Sequence, residues 1–493
     1  MTTGVGTVAA GWRGGLGDGL RYGALGLPLA FVALPLYVIL PNHYATAFGI
    51  PLAALGALLL GVRLFDAVTD PLIGWLADRW FGHSVARVLA AAAVAAVVLA
   101  LGFRALFFPA VDGVTALLWW CGVALLVSTL AYSVLAVLHQ AWGARLGGGA
   151  TQRARIVAWR EALALVGVLV ASVLPSLAGL GVSTAVFALL LAAGVALLAF
   201  APRPQPQPAA PTPASVLQPA RAGQTRGSSP AAPDAAPSPN WQLPLATPAF
   251  RRLLAIYLVN GIAGAIPATL LLFFVRDRLQ APAFEPLFLA GYFAAAALSM
   301  PLWVRAVARI GLARAWLAGM LLAIAAFVWA ARLGAGDVAA FFAVCVASGI
   351  ALGADLALPG ALLAGVIRRA GHGGRAEGAY FGWWSFATKL NLALAAGLAL
   401  PLLAAFGYTP GSTDPGALRA LTIAYCLLPC ALKLAAAALL WRRWIAHADG
   451  RAEDDEARAD AIARQPDAER PAQPPALFEI TDAGSGAAAE PTR

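Results

Sequence analysis

The sequence predicts an all-α polytopic membrane protein in which twelve transmembrane helices form two pseudo-symmetric six-helix bundles. Of its 493 residues, 60% are hydrophobic and only 12% are charged, whereas soluble domains usually carry about 25% charged residues. The chain contains twelve apolar runs, each near the ~20 residues that a membrane crossing requires. A segment rich in Pro and Ala divides these runs into two sets of six.

The apolar runs define the expected domain boundaries. In the first half they are predicted at residues 22–40, 52–77, 85–108, 115–142, 156–177 and 183–200. In the second half they are predicted at residues 252–275, 286–307, 313–331, 339–367, 380–406 and 417–444. The chain then divides into an N-terminus of residues 1–21, a first bundle of 22–200, a linker of 201–247, a second bundle of 248–445 and a tail of 446–493. The linker and tail are expected to be disordered, because their Pro-rich and charged composition cannot bury a core.

Composition also excludes several function classes. The net charge of +10 does not predict nucleic-acid binding, because the arginines lie mostly in short gaps between apolar runs. The two lysines, Lys389 and Lys433, are each followed by Leu, so the chain contains no Walker A motif for ATP binding. The cysteines lie in apolar runs without metal-ligand spacing: Cys121, Cys345, Cys426 and Cys430. We therefore expect neither an enzyme nor a resident cofactor.

The arginines predict how the chain is oriented in the membrane. Sixteen arginines lie in gaps on one side and five on the other, and 11 remain against five when the linker is set aside. Cytoplasmic loops of membrane proteins carry an excess of Lys and Arg. We therefore expect both termini and the linker to be cytoplasmic, in the inner (plasma) membrane.

The second apolar run contains four polar residues on one helix face, Arg63, Asp66, Thr69 and Asp70. Each charge at bilayer depth costs at least ~2.5–3.5 kcal/mol and by default indicates function. One arginine and two carboxylates leave a net charge near minus one, which suits one Na⁺ or one H⁺. Ser133 on the fourth helix could add an oxygen. Alternatively, these acids pair with basic residues and hold helices together, and a structural or gating role is the expected one for Arg63, Asp78 and Arg79.

A faint internal repeat locates the acidic residues in the first half. The sequence D-P-L-I-G-W-L-A-D-R at 70–79 is echoed by M-P-L-W-V-R-A-V-A-R at 300–309. The echo keeps the Pro and the final Arg but has Met300 in place of Asp70. The fold is therefore expected to repeat, whereas the carboxylates do not.

Further polar residues in apolar runs are candidates for binding substrate. Lys389 lies about ten residues into the run at 380–406, where a lone Lys either reaches the interface, pairs or changes its pKa. Asp355 is its expected partner. Arg160 begins the fifth helix and is either juxtamembrane or functional. Trp384, close to Lys389, either stacks on a substrate ring or marks the membrane interface.

Several motifs resemble one family of transporters. The second helix reads R-x-x-D-A-x-x-D-P-x-x-G-W at 63–75, and shorter matches are Y-G-x-x-G at 22–26, Tyr132-Ser133 and Arg160 followed by Gly167. The eleventh helix reads R-A-E-G-A-Y-F-G-W-W-S-F-A-T-K at 375–389, followed by G-Y-T-P at 407–410. Over roughly residues 22–444, linker excluded, the chain resembles the glycoside–pentoside–hexuronide:cation symporters, the melibiose-permease branch of the major facilitator superfamily.

The resemblance implies the major facilitator fold and coupling of solute entry to Na⁺, Li⁺ or H⁺. By motif position it implies a monovalent-cation site at Asp66 and Asp70, with the oxygens of Thr69 and Ser133. It also implies that Arg160 and Lys389 lie near the substrate. The acids that clamp sugar hydroxyls in galactoside carriers are missing, since their positions fall near residues 27–28 and at Ala136, and a nearby Trp position holds Gln140.

We therefore expect a monomeric, cation-coupled secondary transporter that carries a small solute, a sugar or glycoside, by alternating access. Substrate contacts are expected from Arg160, Lys389, Trp384, Gln140 and Asp355. Its partners would be the solute, a monovalent cation and the lipid bilayer, with no nucleic acid. The alternatives are a lysolipid or other amphiphile carrier of the same superfamily, which keeps a comparable Lys on helix eleven, and a sensor or scaffold that transports nothing.

Overall fold

The computed structural model describes residues 12–33, 35–204, 240–409 and 411–446. Most of the predicted N-terminus and linker, and almost all of the tail, lie outside these ranges, so their boundaries stay predictions. Within the described residues the regular structure is helical and contains no β-strand. Here the first half means described residues up to 204 and the second half those from 240 onward.

The first half begins with an interrupted helix, longer than the predicted run at 22–40. It consists of α1 (Leu16–Gly23), α2 (Gly26–Phe31), a π-helical turn (Pro35–Ile39) and α3 (Leu40–Phe48). Pro35 and Pro41 explain part of the interruption, because proline lacks the N–H that an α-helix needs and its ring collides with the preceding turn. The positions near 27–28, where the resemblance aligns the missing first-helix acid, lie within α2.

The other helices of the first half follow the predicted pattern. They are α4 (Leu52–His83), α5 (Val85–Phe107), α6 (Val114–Arg145), α7 (Ala150–Pro175) and α8 (Leu177–Ala199). The run from 150 to 199 is nearly continuous and turns at Gly179, whose φ of 78° lies in the region that favours glycine. The predicted loop between the fifth and sixth crossings is therefore a kink.

The second half repeats the arrangement. It contains a short α9 (Leu243–Ala246), then α10 (Pro248–Phe273), α11 (Glu285–Ile310), α12 (Leu312–Ala330), α13 (Val338–Arg369), α14 (Glu377–Ala405), α15 (Pro415–Thr422) and α16 (Leu428–Leu440). Among the described residues, nine helical stretches are long and apolar enough to cross a membrane. The interrupted first helix, α4 and α14 complete the predicted twelve. The protein is a multi-pass membrane protein.

The two halves meet where α4 packs against α14 and where α7 packs against α11 and α13. The α4–α14 approach depends on glycine, because a Cβ at Gly74 would collide with the carbonyl oxygen of Gly378. Gly382 is similarly close to the backbone of Asp70. The second contact is an apolar core that includes Ala154 of α7 and Met300 of α11. The first contact brings polar groups of the second half against α4.

Candidate functional site

The ammonium group of Lys389 lies between two carboxylates of α4. Its Nζ is 2.6 Å from Oδ2 of Asp66 and 2.7 Å from Oδ2 of Asp70, and it donates to Oδ1 of Asp70 at 2.8 Å. The side chain of Asp70 is fully buried and that of Asp66 is 3% exposed. A buried ion pair needs such close partners, because removing both charges from water costs several kcal/mol per ion.

Ser133 of α6 completes this group. Its hydroxyl donates to Oδ1 of Asp66 at 2.8 Å and accepts from Lys389 at 2.9 Å. Thr69 lies one residue before Asp70, but its hydroxyl donates to the backbone carbonyl of Asp66 at 3.0 Å. We call Asp66, Asp70, Ser133 and Lys389 the central cluster. Four carboxylate oxygens and a hydroxyl converge there, a donor set that suits a hard monovalent cation or a proton.

A second charged group closes the end of the molecule at which α8 ends and α9 begins, here called the linker end. Asp78 of α4 pairs with Arg145 of α6 at 2.8 Å, and Arg145 pairs with Glu377 of α14 at 3.0 Å. Asp78 also accepts the backbone N–H groups of Gly378 and Ala379, at 2.7 and 2.8 Å. A carboxylate therefore satisfies the free N–H groups and positive dipole at the start of α14.

The remaining predicted gating residues lie outside these contacts. Arg79 is exposed and lies over the ring of Trp75 at 4.4 Å. Arg63 is half-buried on α4. A further link at the linker end comes from Arg368 of α13, which donates to the carbonyl of Gly148 at 2.6 Å. The linker end is thus held by side-chain bonds from each half to the other.

A cavity of about 630 Å³ lies mainly within the second half. Its walls come from α10 to α14 and α16, with a smaller contribution from α2 and α7. Most of the wall is apolar, and ligand pockets in proteins commonly have this size and character. Asp355 lines it, and so does Glu161, which accepts two hydrogen bonds from Arg160 at 2.9 and 2.6 Å.

Comparison with known proteins identifies the family. The sequence profile of the family described as "MFS/sugar transport protein" matches residues 21–446. The chain belongs to this family. The match covers both halves of the chain. Membership of the MFS/sugar transport family indicates a transporter and not an enzyme, which confirms the prediction from the sequence.

One curated relative and several solved structures are similar to this family member. The inner membrane symporter YicJ of Escherichia coli K12 is 28% identical over 163 residues, which cover 32% of this chain and 33% of YicJ. The chain therefore aligns with about a third of that relative's length. The fold resembles a bacterial homologue of the iron transporter ferroportin in its outward-facing state, with a TM-score of 0.58, 14% identity and 85% of this chain and 99% of that chain covered.

Two further structures support the same fold. The E. coli fucose:proton symporter FucP gives a TM-score of 0.56 at 13% identity, covering 86% of this chain and 97% of that chain. The human organic anion transporter MFSD10 gives 0.55 at 18% identity, covering 86% and 100%. At these identities the likeness shows the fold alone, and it confirms the predicted major facilitator architecture.

The structure corrects the predicted partner of Lys389. Asp355 was expected to pair with it, but Lys389 faces α4, whereas Asp355 pairs with Lys433 of α16 at 2.7 Å. Asp355 also accepts from Asn260 at 3.0 Å and from Trp316 at 2.9 Å. We call Asn260, Trp316, Asp355 and Lys433 the second-half cluster. The sequence identified Asp355 and Lys389 because each is a charged residue in an apolar run. It did not show which helix each side chain faces.

The predicted substrate residues do not form one group. Lys389 belongs to the central cluster and Asp355 to the second-half cluster. Trp384 stacks on Tyr257 at 3.8 Å between ring centroids, and Tyr257 lines the cavity. Gln140 is half-buried on α6. Lys433 and Arg145 were missed as site residues, although Lys433, a lysine within an apolar run, carries the same sequence signal as Lys389.

Proposed function

We propose that this protein is a secondary transporter that couples entry of a small solute to a monovalent cation. Family membership supports transport. The single observation that carries the coupling is the position of Lys389, a second-half residue bound by two carboxylates of the first half. A cation that takes those oxygens competes with the ammonium group for them. Cation binding and the contact between the halves are therefore linked.

The proposed mechanism follows from that competition. When one Na⁺ or H⁺ binds the carboxylates of Asp66 and Asp70, it cancels one of their two charges and competes with Lys389 for their oxygens, which loosens α14 from α4. The two halves then rearrange around the solute by alternating access. Because linkage is reciprocal, the solute and the cation each raise the other's affinity when both favour the same conformer. Ser133 and Thr69 are proposed to supply further oxygens to the cation.

The contacts at the linker end support a conformer that is closed on that side. The arginine distribution supports a cytoplasmic location for the linker and both termini, so the proposed conformer faces outward. The inner membrane location given in the name of YicJ supports the same membrane for this protein. We propose a monomer that needs no resident cofactor and whose partners are the solute, the cation and the bilayer, without nucleic acid.

A sugar or glycoside is the proposed solute class. The family's description supports it. Arg160 and Trp384 are proposed to hold the solute indirectly, through Glu161 and Tyr257, which line the cavity. The largely apolar wall favours the amphiphile alternative, which is therefore kept as a second candidate.

Uptake into proteoliposomes tests this function. Purified protein would be reconstituted with an imposed Na⁺ or H⁺ gradient, and a panel of labelled glycosides, free sugars and lysolipids would be supplied outside. Gradient-driven accumulation, abolished by a matching ionophore, is the expected result. Equal uptake with and without either gradient would refute coupling. A reconstituted protein that moves no member of the panel would favour the sensor or scaffold alternative.

A further inference from the structure

The second-half cluster is an ion pair that the proposed coupling does not use. Lys433 donates to Oδ2 of Asp355 at 2.7 Å and to Oδ1 of Asn260 at 2.8 Å. Trp316 and Asn260 both donate to the other oxygen of Asp355. All four residues belong to the second half, so this cluster moves with that half as a unit. The central cluster, by contrast, joins the halves and must break when they separate.

Two polar groups in the cavity wall still have hydrogen-bonding capacity. Within the described residues Lys433 has two acceptors, whereas an ammonium group carries three donors. The side chain of Asn391 is buried, at 4% exposure, and its Oδ1 has no hydrogen-bond partner there. Both residues line the cavity. Leaving a buried oxygen without a partner is unfavourable, so a bound donor that reaches it is stabilised.

The charges in the cavity wall cancel. Its acids and bases are Glu161, Asp355 and Lys433 among the described residues. Lys433 compensates Asp355, and Arg160 behind the wall compensates Glu161. A ligand with an ionised carboxylate or phosphate would find no free counter-charge, and burying an unpaired charge is costly. The wall therefore favours an uncharged head that both donates and accepts hydrogen bonds, as hydroxyl groups do.

The other end of the cavity is aromatic. Phe288 and Phe341 meet edge to face at 4.8 Å between centroids, and Phe327 lies 5.5 Å from Tyr425. All four rings line the cavity. Phe341 precedes Asp355 by 14 residues on α13, which corresponds to about 21 Å along the helix at ~1.5 Å per residue. The cavity is thus elongated, with hydrogen-bonding groups at one end and aromatic rings at the other.

We propose that this cavity is a binding site for an uncharged amphiphile with a hydroxylated head and an apolar body. The head donates to Asn391 and accepts from Lys433, and the body lies among the rings near Phe341. An aryl or alkyl glycoside has this chemistry. A free sugar lacks the body, and an anionic lysolipid has the wrong head charge. The inference rests on the proposed function only in taking the ligand to be the transported solute.

Equilibrium binding without any ion gradient tests the site. The full chain in detergent-free nanodiscs would be titrated with a stereochemical panel of n-decyl glycosides below their micelle concentrations, the matching free sugars and n-decyl glucuronide. At least one uncharged decyl glycoside is expected to bind, because its chain is long enough to reach from the polar end toward the rings. Its free sugar and the glucuronide are expected to bind about tenfold more weakly or worse. Failure of every uncharged decyl glycoside to bind would overturn the proposal.

Variants then locate the binding. Asn391→Leu and Phe341→Ala are each expected to weaken the bound glycoside about tenfold, whereas Asp112→Asn, in an exposed loop, leaves its affinity unchanged. Lys433→Met is also expected to weaken binding about tenfold, and a thermal unfolding scan checks that this variant folds. Unchanged affinity in both Asn391→Leu and Phe341→Ala would refute the site. Binding of the glycoside without gradient-driven uptake would uphold the site and refute symport. Gradient-driven uptake that is unchanged by Asn391→Leu would uphold symport and refute the site.

Discussion

Lys389 and Asp70 join the two halves of the protein through an ion pair 2.7 Å long. The carboxylate lies on α4 and the ammonium group on α14, and glycines on both helices permit this approach. A second carboxylate, Asp66, lies 2.6 Å from the same nitrogen. One nitrogen thus pairs with both carboxylates. Removing a carboxylate and removing the ammonium group are therefore expected to change cation binding in opposite directions.

Replacing Asp70 with Asn should lower gradient-driven uptake at least about tenfold, while the protein still inserts into the membrane. The amide keeps the shape but removes the charge that attracts a cation. Proteoliposome uptake under Na⁺ and H⁺ gradients measures the loss. Asp112→Asn is the matched control, because Asp112 is exposed in a loop. Retention of full gradient dependence in Asp70→Asn would remove it from the cation site.

Replacing Lys389 with Met should raise cation affinity by about tenfold or more while slowing transport. Two buried carboxylates lose their internal counter-charge, and a monovalent cation then binds without competition. Calorimetric titration with Na⁺ and with Li⁺ measures the affinity for these cations. Proton uptake after a pH jump measures proton binding, in case H⁺ is the coupling ion. An unchanged affinity for each ion would show that Lys389 and the cation do not share oxygens.

Replacing Arg145 with Met should open the linker end. The change leaves Asp78 and Glu377 buried without their shared cation, and breaking a buried pair in this way costs about 3–5 kcal/mol. That cost falls on the closed conformer and shifts the population away from it. Maleimide labelling of a cysteine introduced at Ala154, buried between the halves, should accelerate. Arg79→Met is the control, because Arg79 is exposed; equal acceleration in both variants would contradict the assignment.

Replacing Gly74 with Val should prevent close approach of α4 and α14. Any Cβ at this position meets the backbone of Gly378, which cannot move aside as a flexible side chain can. Gly61→Val on the same helix is the control, since a Cβ there meets nothing within 4 Å. Uptake should fall at least about tenfold in Gly74→Val alone. Comparable activity in the two variants would show that this contact does not form during transport.

The fold was largely predictable because the length of an apolar run is a local signal. Such signals placed the helices within several residues, and they failed where a local feature changed the geometry. Residues around 179 looked like a loop, but the glycine makes a kink between two helices. The first helix extends beyond its apolar run in both directions and is broken near its prolines.

Several members of the candidate site were predictable, whereas Lys433, Arg145 and the pairing of the charges were not. A charge in an apolar run is visible in the sequence, so Asp66, Asp70, Asp355 and Lys389 were all identified. Their partners depend on the rotation of each helix about its own axis, which tertiary packing sets. Arg145 shows the same limit, because its role at the linker end depends on Glu377, more than two hundred residues away.

The two lysines of the chain are both held in ion pairs. Amine-reactive reagents should therefore acylate neither quickly in the closed conformer. Lys389 becomes reactive only when α14 leaves α4, whereas Lys433 stays with its own half throughout the cycle. Mass spectrometry of the two acylated peptides would therefore measure the rate of conformational exchange from the acylation of Lys389, with Lys433 as the internal reference and without any change to the sequence.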